Sequence, residues 1–141
     1  MSRFHVLRAV ERANQLVSRH LSRRLTGAGL TDIEALVLFH LDHLPRGTRP
    51  AVRDLKSAFG LPPTTLSAVL DRLERRKLVR RTPNARDRRS TLIVPTPLGR
   101  RRIAEISSLL TDVEKRVAGG VSAADLVAFG RVLAALEEAT S

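Results

Sequence analysis

The sequence predicts a mainly α-helical fold with one small β-hairpin, in the order α-α-α-α-β-β-α-α. Apolar residues make up 43% of the 141 residues but aromatic residues only 3%, a composition that suits helices packed through Leu, Val, Ile and Ala. Apolar side chains recur at intervals of three and four residues towards both ends of the chain. Strand-like runs occur only between residues 78 and 94.

Two helices are predicted before residue 45. The first covers residues 4–25, and its apolar stripe consists of Leu7, Val10, Val17 and Leu21. Asn14 falls within this stripe, where it either fixes the register of a helix pair or lies at the edge of the stripe. Thr31 and Glu34 have the spacing of a capping box, which starts a second helix that runs to about Leu44.

Two short helices and a hairpin follow. The helices are predicted over residues 51–59 and from 62 to about 77, with a tight turn between them, which is the helix-turn-helix pattern. Two strands over 78–82 and 91–94 enclose a polar, basic loop at 83–90. The sequence therefore predicts a winged helix-turn-helix, in which this hairpin is the wing.

Two further helices complete the chain. Thr96 and Pro97 provide an N-cap and a proline in the first turn, and Gly119-Gly120 end that helix. Ser122 and Asp125 cap the last helix. The apolar stripes of both helices are those of helices that pack lengthwise against a partner.

These elements predict a single winged-helix domain over residues 1–141. Its DNA-binding lobe covers residues 46–95, and long dimerisation helices lie in residues 1–30 and 96–141. A single small domain cannot bury the apolar stripes of the long helices by itself, so a two-fold homodimer is expected.

The positive charge is concentrated in one segment. The chain has a net charge of +11, and residues 46–102 contain sixteen Lys or Arg against four Asp or Glu, a local net charge of +12. Like charges at this density repel one another unless a polyanion neutralises them. The charge pattern therefore predicts a nucleic-acid partner, and the rest of the chain is close to neutral.

Several classes of protein are not expected from this sequence. There is no cysteine, which excludes disulfides, thiolate nucleophiles and cysteine zinc sites. No phosphate-binding glycine loop, nucleophile elbow or pair of catalytic acids is present, so we expect neither an enzyme nor a cofactor. His40 and His43 have a spacing that metal ligands can use, but they lack further ligands and no metal is expected. The absence of a signal or membrane-length apolar run predicts a cytoplasmic protein.

Three segments resemble the signature of the MarR (multiple antibiotic resistance regulator) family: LERRKLVRR at 73–81, DRRS at 87–90 and VPTPLG at 94–99. Length and helix order extend the resemblance over nearly the whole chain. Two positions depart from the family pattern. Lys77 replaces a glycine that readily adopts the left-handed helix end. Pro95 replaces a leucine and is expected to shorten the strand, because proline donates no hydrogen bond to a β-ladder.

The resemblance implies a bacterial transcription regulator, a homodimeric repressor that binds a pseudo-palindromic operator in double-stranded DNA. The helix from Pro62 would enter the major groove, and at least one of Thr64 and Thr65 is expected only to cap it. Arg89 would enter the minor groove, with Asp87 orienting the wing through an ion pair with Arg86 or Arg88. The residues assigned to the DNA site are Thr64, Thr65, Ser67, Arg72, Arg75, Arg86, Asp87, Arg88 and Arg89.

Two further points concern partners. Family members often release DNA when they bind a small aromatic or anionic effector, and the residues assigned here to such a site are Phe4, Arg8, Leu36 and His40. Ordinary core packing explains these four residues equally well. The alternative to a specific regulator is a sequence-independent nucleoid or RNA-binding protein that uses the same basic segment. Competition against random DNA distinguishes the two, because a coating protein has a specificity ratio near one.

Overall fold

A computed structural model describes residues 5–141. Its elements are α1 (Val6–Leu25), α2 (Asp32–His43), α3 (Val52–Phe59), α4 (Pro63–Arg75), β1 (Val79–Pro83), β2 (Thr91–Pro95), α5 (Pro97–Gly119) and α6 (Ala123–Thr140), with a 3₁₀ turn at Thr26–Ala28 after α1. The predicted order of elements and the winged-helix fold class are confirmed.

The chain forms two compact units, one that ends at Ile106 and one that comprises Ser107–Ser141. The first contains α1 to α4 and the hairpin, and the second contains most of α5 and all of α6. The prediction of a single domain over residues 1–141 stays a prediction. Among the described residues no single helix is long and apolar enough to cross a membrane, and α5 with α6 satisfies that test only as a sharply bent pair.

Helix α2 is the centre of the first unit, where it contacts α1, α4 and β2. Apolar residues at helical spacing form its core, and those without solvent exposure include Leu25, Leu38, Leu55, Leu70, Leu73 and Ile93. The apolar face of α4 is buried through Leu66, Val69, Leu70 and Leu73. This packing leaves the opposite face of α4 to solvent.

The wing is an antiparallel hairpin whose register runs from Val79 opposite Pro95 to Pro83 opposite Thr91. The prediction that Pro95 shortens the strand is therefore wrong. Proline lacks a donor, but the next backbone N–H, that of Thr96, donates to the Leu78 carbonyl at 3.0 Å and continues the pairing of the two segments.

A third segment lies against the wing. Ala51 forms a β-bridge with Leu92, and the backbone N–H of Ile93 donates to the Pro50 carbonyl at 2.9 Å. The prediction that α3 begins at Ala51 is therefore off by one residue, because Ala51 pairs with β2 and serves as the N-cap. The Asp54 carboxylate accepts the Ala51 N–H at 2.8 Å, so the start of α3 is joined to the wing.

The corner between α4 and β1 is a Schellman turn. The Lys77 N–H donates to the Glu74 carbonyl and the Leu78 N–H to the Leu73 carbonyl, both at 2.9 Å. Helix α4 therefore ends at Arg75 and not at Lys77 as predicted. Lys77 has a φ of 60°, which costs a residue with a β-carbon roughly 1–2 kcal/mol. The lysine at this position thus adopts the left-handed backbone for which the family pattern has a glycine.

Helices α5 and α6 begin at predicted caps. The Thr96 hydroxyl accepts the Gly99 N–H at 3.0 Å, and Ser122 with Asp125 forms a complete capping box. The hydrogen bond from the Ser122 hydroxyl, and then that from its backbone N–H, holds the pKa of the Asp125 carboxyl below its usual value. Because that pKa is lowered by folding, the stability it contributes is complete above the unfolded pKa and lost as the pH falls through the folded one.

Candidate nucleic-acid interface

The first turn of α4 leaves polar groups free. Pro62 is the N-cap, Pro63 is the first helical residue, and no side chain caps the helix. The hydroxyls of Thr64 and Thr65 are exposed and form no hydrogen bond within residues 5–141, so the prediction that one of them caps the helix is wrong. The reason is that Pro62, whose side chain has no acceptor, occupies the N-cap position, and Thr64 and Thr65 come after it within the first turn. In the first turn their backbone N–H groups also lack intrahelical acceptors.

The solvent-facing side of α4 carries residues of the predicted site. Thr64, Ser67 and Arg75 are all exposed, as is Ala68, which leaves room for a close approach by a partner. The only hydrogen bond of the Arg75 side chain among the described residues is a long one, 3.4 Å from Nε to the Asp71 carbonyl of the preceding turn. The structure therefore brings these side chains together on one accessible helical face.

Arg72 has a different environment. Its Nε donates to Oε1 of Glu34 at 2.8 Å, and the Glu34 side chain is only 4% exposed. The Arg72 side chain itself is 43% exposed. Arg72 thus connects α4 to α2, a contact that the sequence analysis did not anticipate.

The wing tip is built from two consecutive turns. The Asp87 N–H donates to the Asn84 carbonyl at 3.2 Å, and the Ser90 N–H donates to the Asp87 carbonyl at 3.0 Å. In each turn a side-chain oxygen also accepts a backbone N–H two residues on: Asn84 from Arg86 at 3.1 Å and Asp87 from Arg89 at 3.0 Å. A hydrogen bond from the Asn84 amide to the Ser90 hydroxyl closes the loop. The tip is therefore ordered by its own side chains, and the side chains of Arg86, Arg88 and Arg89 are exposed.

Asp87 pairs with a residue that the sequence analysis did not select. Its Oδ2 lies 3.4 Å from Nη1 of Arg53 on α3, so the predicted pairing with Arg86 or Arg88 is wrong. The carboxylate already holds the backbone of the tip through Oδ1, and its second oxygen faces α3. No local spacing could have predicted Arg53, because it is 34 residues away in the sequence.

All four acidic residues of the basic segment are engaged within the protein. Asp54 caps α3 and Asp87 holds the wing tip. Asp71 accepts from the Arg81 guanidinium at 2.8 Å, and Glu74 accepts the Arg81 backbone N–H at 3.2 Å. The acids are thus used to fix α3, α4 and the wing to one another, while most of the sixteen basic residues extend from the surface.

The residues assigned to an effector site differ in their surroundings. Phe4 lies outside the described residues, Arg8 is exposed, and Leu36 is half-buried. The His40 ring packs edge-on against Phe59 with the ring centroids 5.3 Å apart. A cavity of about 560 Å³ lies instead between the end of α2, the 44–50 loop, the end of β2 and the start of α5. The effector assignment stays a prediction.

His43 is engaged locally. Its Nδ1 is 2.8 Å from the Phe39 carbonyl, and its ring lies 3.9 Å from the Phe39 ring, measured between centroids. Within residues 5–141 no three His, Cys, Asp or Glu side chains are grouped as a metal site would require.

Comparisons with known proteins agree with this geometry. The sequence profile of the MarR family matches residues 28–90. The S. aureus protein MepR in its DNA-binding conformation is similar over 98% of this chain and 100% of its own, with 19% identity and a TM-score of 0.87. MepR in its DNA complex gives a TM-score of 0.81 at 19% identity, over 99% of this chain and 100% of that one.

A third structure is AbsC, a MarR family transcriptional regulator from Streptomyces coelicolor, with 24% identity and a TM-score of 0.79 over 99% of this chain and 98% of that one. At these identities the structural similarity establishes the winged-helix fold. The profile match covers α2, the helix-turn-helix, β1 and the wing loop together. Over this segment the chain is similar to the MarR family, and it shares the fold of the family's solved members.

Proposed function

We propose that this chain is a DNA-binding transcription regulator, a homodimeric repressor on a pseudo-palindromic operator. One observation carries the proposal: a helix face with free hydroxyls and an ordered arginine-rich wing tip lie on one basic lobe whose acids are engaged internally. MarR family members are transcription regulators and not enzymes. The structural relative MepR has been crystallised as a DNA complex.

Helix α4 is the element that would enter the major groove. The hydroxyls of Thr64, Thr65 and Ser67 can bond to phosphates or base edges, and the free N–H groups of the first turn attract phosphate. Arg75 lies further along the exposed face, where a guanidinium can contact a phosphate or a guanine.

The wing would enter the adjacent minor groove. Arg89 is the residue that we assign to the groove, because narrow A·T-rich minor grooves concentrate negative potential that attracts arginine. Arg86 and Arg88 would contact the phosphates on either side. The two turns held by Asn84 and Asp87 present these side chains without a further ordering step.

The homodimer is supported by apolar side chains that the chain leaves in solvent. None of the residues of α6 is buried, and on its apolar stripe Phe129 is 56% and Leu126 41% exposed. On α1, Leu7 is 67% exposed and Val17 48%. Exposed apolar stripes on long helices are typical of surfaces that pack against a partner, and a second copy of this chain is the simplest partner.

Two finer features belong to the same proposal. The dimer would act in the cytoplasm, where it represses by occupying its operator. A small aromatic or anionic effector would release it by binding the residues assigned above, which include Arg8 and His40. A screen for compounds that raise the melting temperature tests this point, because a ligand that binds only the folded state stabilises it.

The experiment that tests the proposal is selection of binding sequences from random duplexes by the purified protein. Affinities for the selected and a scrambled duplex are then compared at one fixed salt concentration. A pseudo-palindrome with half-sites about one helical turn apart is the expected result. A specificity ratio near one would instead favour the sequence-independent nucleoid or RNA-binding protein.

Replacing Arg89→Ala is expected to weaken specific binding by about 1–3 kcal/mol, because the minor-groove contact is lost. Arg131→Ala is the matched control, since it removes the same charge from the exposed surface of α6 outside the basic segment. An affinity of Arg89→Ala equal to that of the control would remove Arg89 from the DNA site.

A further inference from the structure

We infer that Glu34 is a positioning residue for DNA readout, and that Arg72 acts by pairing with Glu34 and not by contacting bases. This inference rests on the function proposed above and identifies what sets the orientation of the reading helix α4. The unit formed by Glu34, Arg72 and Arg76 is called here the α2–α4 clasp.

Glu34 is the only charged or polar residue among those described that is buried, with 3% of its surface exposed. Its Oε1 accepts from Nε of Arg72 at 2.8 Å, and its Oε2 accepts the Thr31 N–H at 3.1 Å and lies 3.5 Å from Nη1 of Arg76. A buried carboxylate is strongly unfavourable unless such partners surround it. The side chain therefore does more than complete the capping box of α2.

The second arginine fastens the same end of α4. Nη1 of Arg76 donates to the Gly29 carbonyl at 2.5 Å. A β-carbon at Gly29 would lie 3.3 Å from Nη2 of Arg76, so the guanidinium rests directly on this glycine backbone. Arg72 and Arg76 are four residues apart and lie on one flank of α4, and together they tie its C-terminal half to the start of α2.

The clasp differs in function from the apolar core beneath α4. Buried leucines hold a helix against its neighbours but fix its rotation and axial position less strictly than hydrogen bonds of defined direction. Groups that read a ligand need support within about 0.5 Å of their productive geometry. The clasp supplies that support to Thr64 and Arg75, which are on the same helix and have no such anchor of their own.

The environment of Arg72 distinguishes direct contact with DNA from a role in holding α4 against α2. If Arg72 read DNA directly, its guanidinium would have to share or leave the Glu34 carboxylate, and a buried charge would lose a partner. The observed pairing instead occupies Nε and orients the guanidinium towards α2. The loss of Arg72 and the loss of Glu34 should then affect DNA readout through the same event.

The test uses the full-length protein with Glu34→Gln, Arg72→Gln and the double variant. Each is titrated with the duplex selected by the wild type and with a scrambled duplex, at one salt concentration. Asp42→Asn is the matched control, because it makes the same charge change at an exposed position of the same helix α2. Circular dichroism and melting temperature report whether each variant is folded.

We expect Glu34→Gln to reduce the ratio of specific to non-specific affinity roughly tenfold, since the reading helix loses its defined orientation. Non-specific affinity should not fall, because the substitution removes a negative charge and so raises the net positive charge of the protein. The double variant should have the same ratio as Glu34→Gln alone, because both changes break one unit. Should Glu34→Gln not fold, Arg76→Gln weakens the clasp from its solvent side by removing the contacts of Arg76 with Glu34 and Gly29. The same fall in the affinity ratio is expected, although the lost positive charge also lowers non-specific affinity.

Other outcomes overturn the inference. A ratio for Glu34→Gln equal to that of Asp42→Asn would show that the clasp is structural only. Multiplicative losses in the double variant would show that Arg72 contacts DNA independently of Glu34. A wild-type protein that selects no sequence would overturn the proposed function itself, and with it any role for Glu34 in readout.

Discussion

Gly99 lies where the backbone of α5 meets the corner between the reading helix α4 and β1. A β-carbon at this position would be 1.9 Å from the Leu78 carbonyl oxygen, a separation that no side chain can occupy. The same carbonyl accepts the Thr96 N–H, and the Thr96 hydroxyl donates to the Lys77 carbonyl at 2.5 Å. The glycine of the third signature segment is therefore required by close backbone packing and not by an unusual backbone angle.

Gly99→Ala is accordingly expected to destabilise the protein by roughly 3 kcal/mol, because α5 must move away from Leu78. Thermal unfolding followed by circular dichroism measures the effect. Gly130→Ala is the control, since it is also a helical glycine but has open space around it, and it should stabilise α6 by up to about 1 kcal/mol. Equal melting temperatures for the two variants would contradict the close approach at Gly99.

The residue scale is also where the sequence was least informative. Thr31 with Glu34 was predicted as a capping box and is one, but the burial of Glu34 and its pairing with Arg72 were missed. A signal was present, because Glu34 shares a helical face with the buried Val37, Leu38 and Leu41. Arg53 gave no such signal, since a pairing across 34 residues depends on how α3 and the wing are arranged in space.

At the scale of elements, α3, α4 and the wing are linked by polar contacts that no single element contains. Arg81 of β1 is held by Asp71 and Glu74 of α4, and Asp87 of the wing pairs with Arg53 of α3. The helices and strands themselves were predictable from apolar period, caps and prolines, with ends correct to within one or two residues. Their mutual contacts were not, because periodicity gives the buried face of an element but not its neighbour.

The role of Asp87 can be separated into two parts. Asp87→Asn keeps an oxygen that can accept the Arg89 N–H, whereas Asp87→Ala loses both this bond and the pairing with Arg53. Asp87→Ala is therefore expected to weaken specific DNA binding by about 1 kcal/mol although it removes a negative charge, and Asp87→Asn should bind at least as well as the wild type. Equal affinities for the two variants, measured at one salt concentration, would argue against an ordered wing tip.

At the scale of the whole molecule, charge and apolar exposure are distributed unequally along the sequence. The segment 46–102 carries a net charge of +12, while α6 has an exposed apolar surface and no buried residue. Both features were evident in the sequence, from the counts of charged residues and from the stripe that includes Leu126 and Phe129. The first feature supports the proposed binding of a polyanion, and the second supports the proposed pairing with a second copy of the chain.

The dimer surface can be tested on α6. Phe129→Glu places a charge within the apolar stripe and is expected to raise the dimer dissociation constant by about 100-fold or more, because a buried aromatic contact is replaced by an unpaired charge. Ala135→Glu is the control, since helical spacing puts this exposed residue outside the apolar stripe. Sedimentation velocity over a range of concentrations gives both constants, and identical profiles would rule out this face of α6 as the dimer surface.

Two positions lie against the corner at Leu78, namely 77 and 99, and they differ in how freely they can be mutated. Position 77 has a left-handed backbone that an unbranched side chain can adopt at a modest energetic penalty, and the chain has a lysine there. Position 99 allows no such compromise, since the first carbon of any side chain would overlap a carbonyl group. We therefore expect related chains to replace a glycine at position 77, at the end of the reading helix. We do not expect them to replace the glycine at position 99, because only glycine lets α5 approach Leu78 this closely.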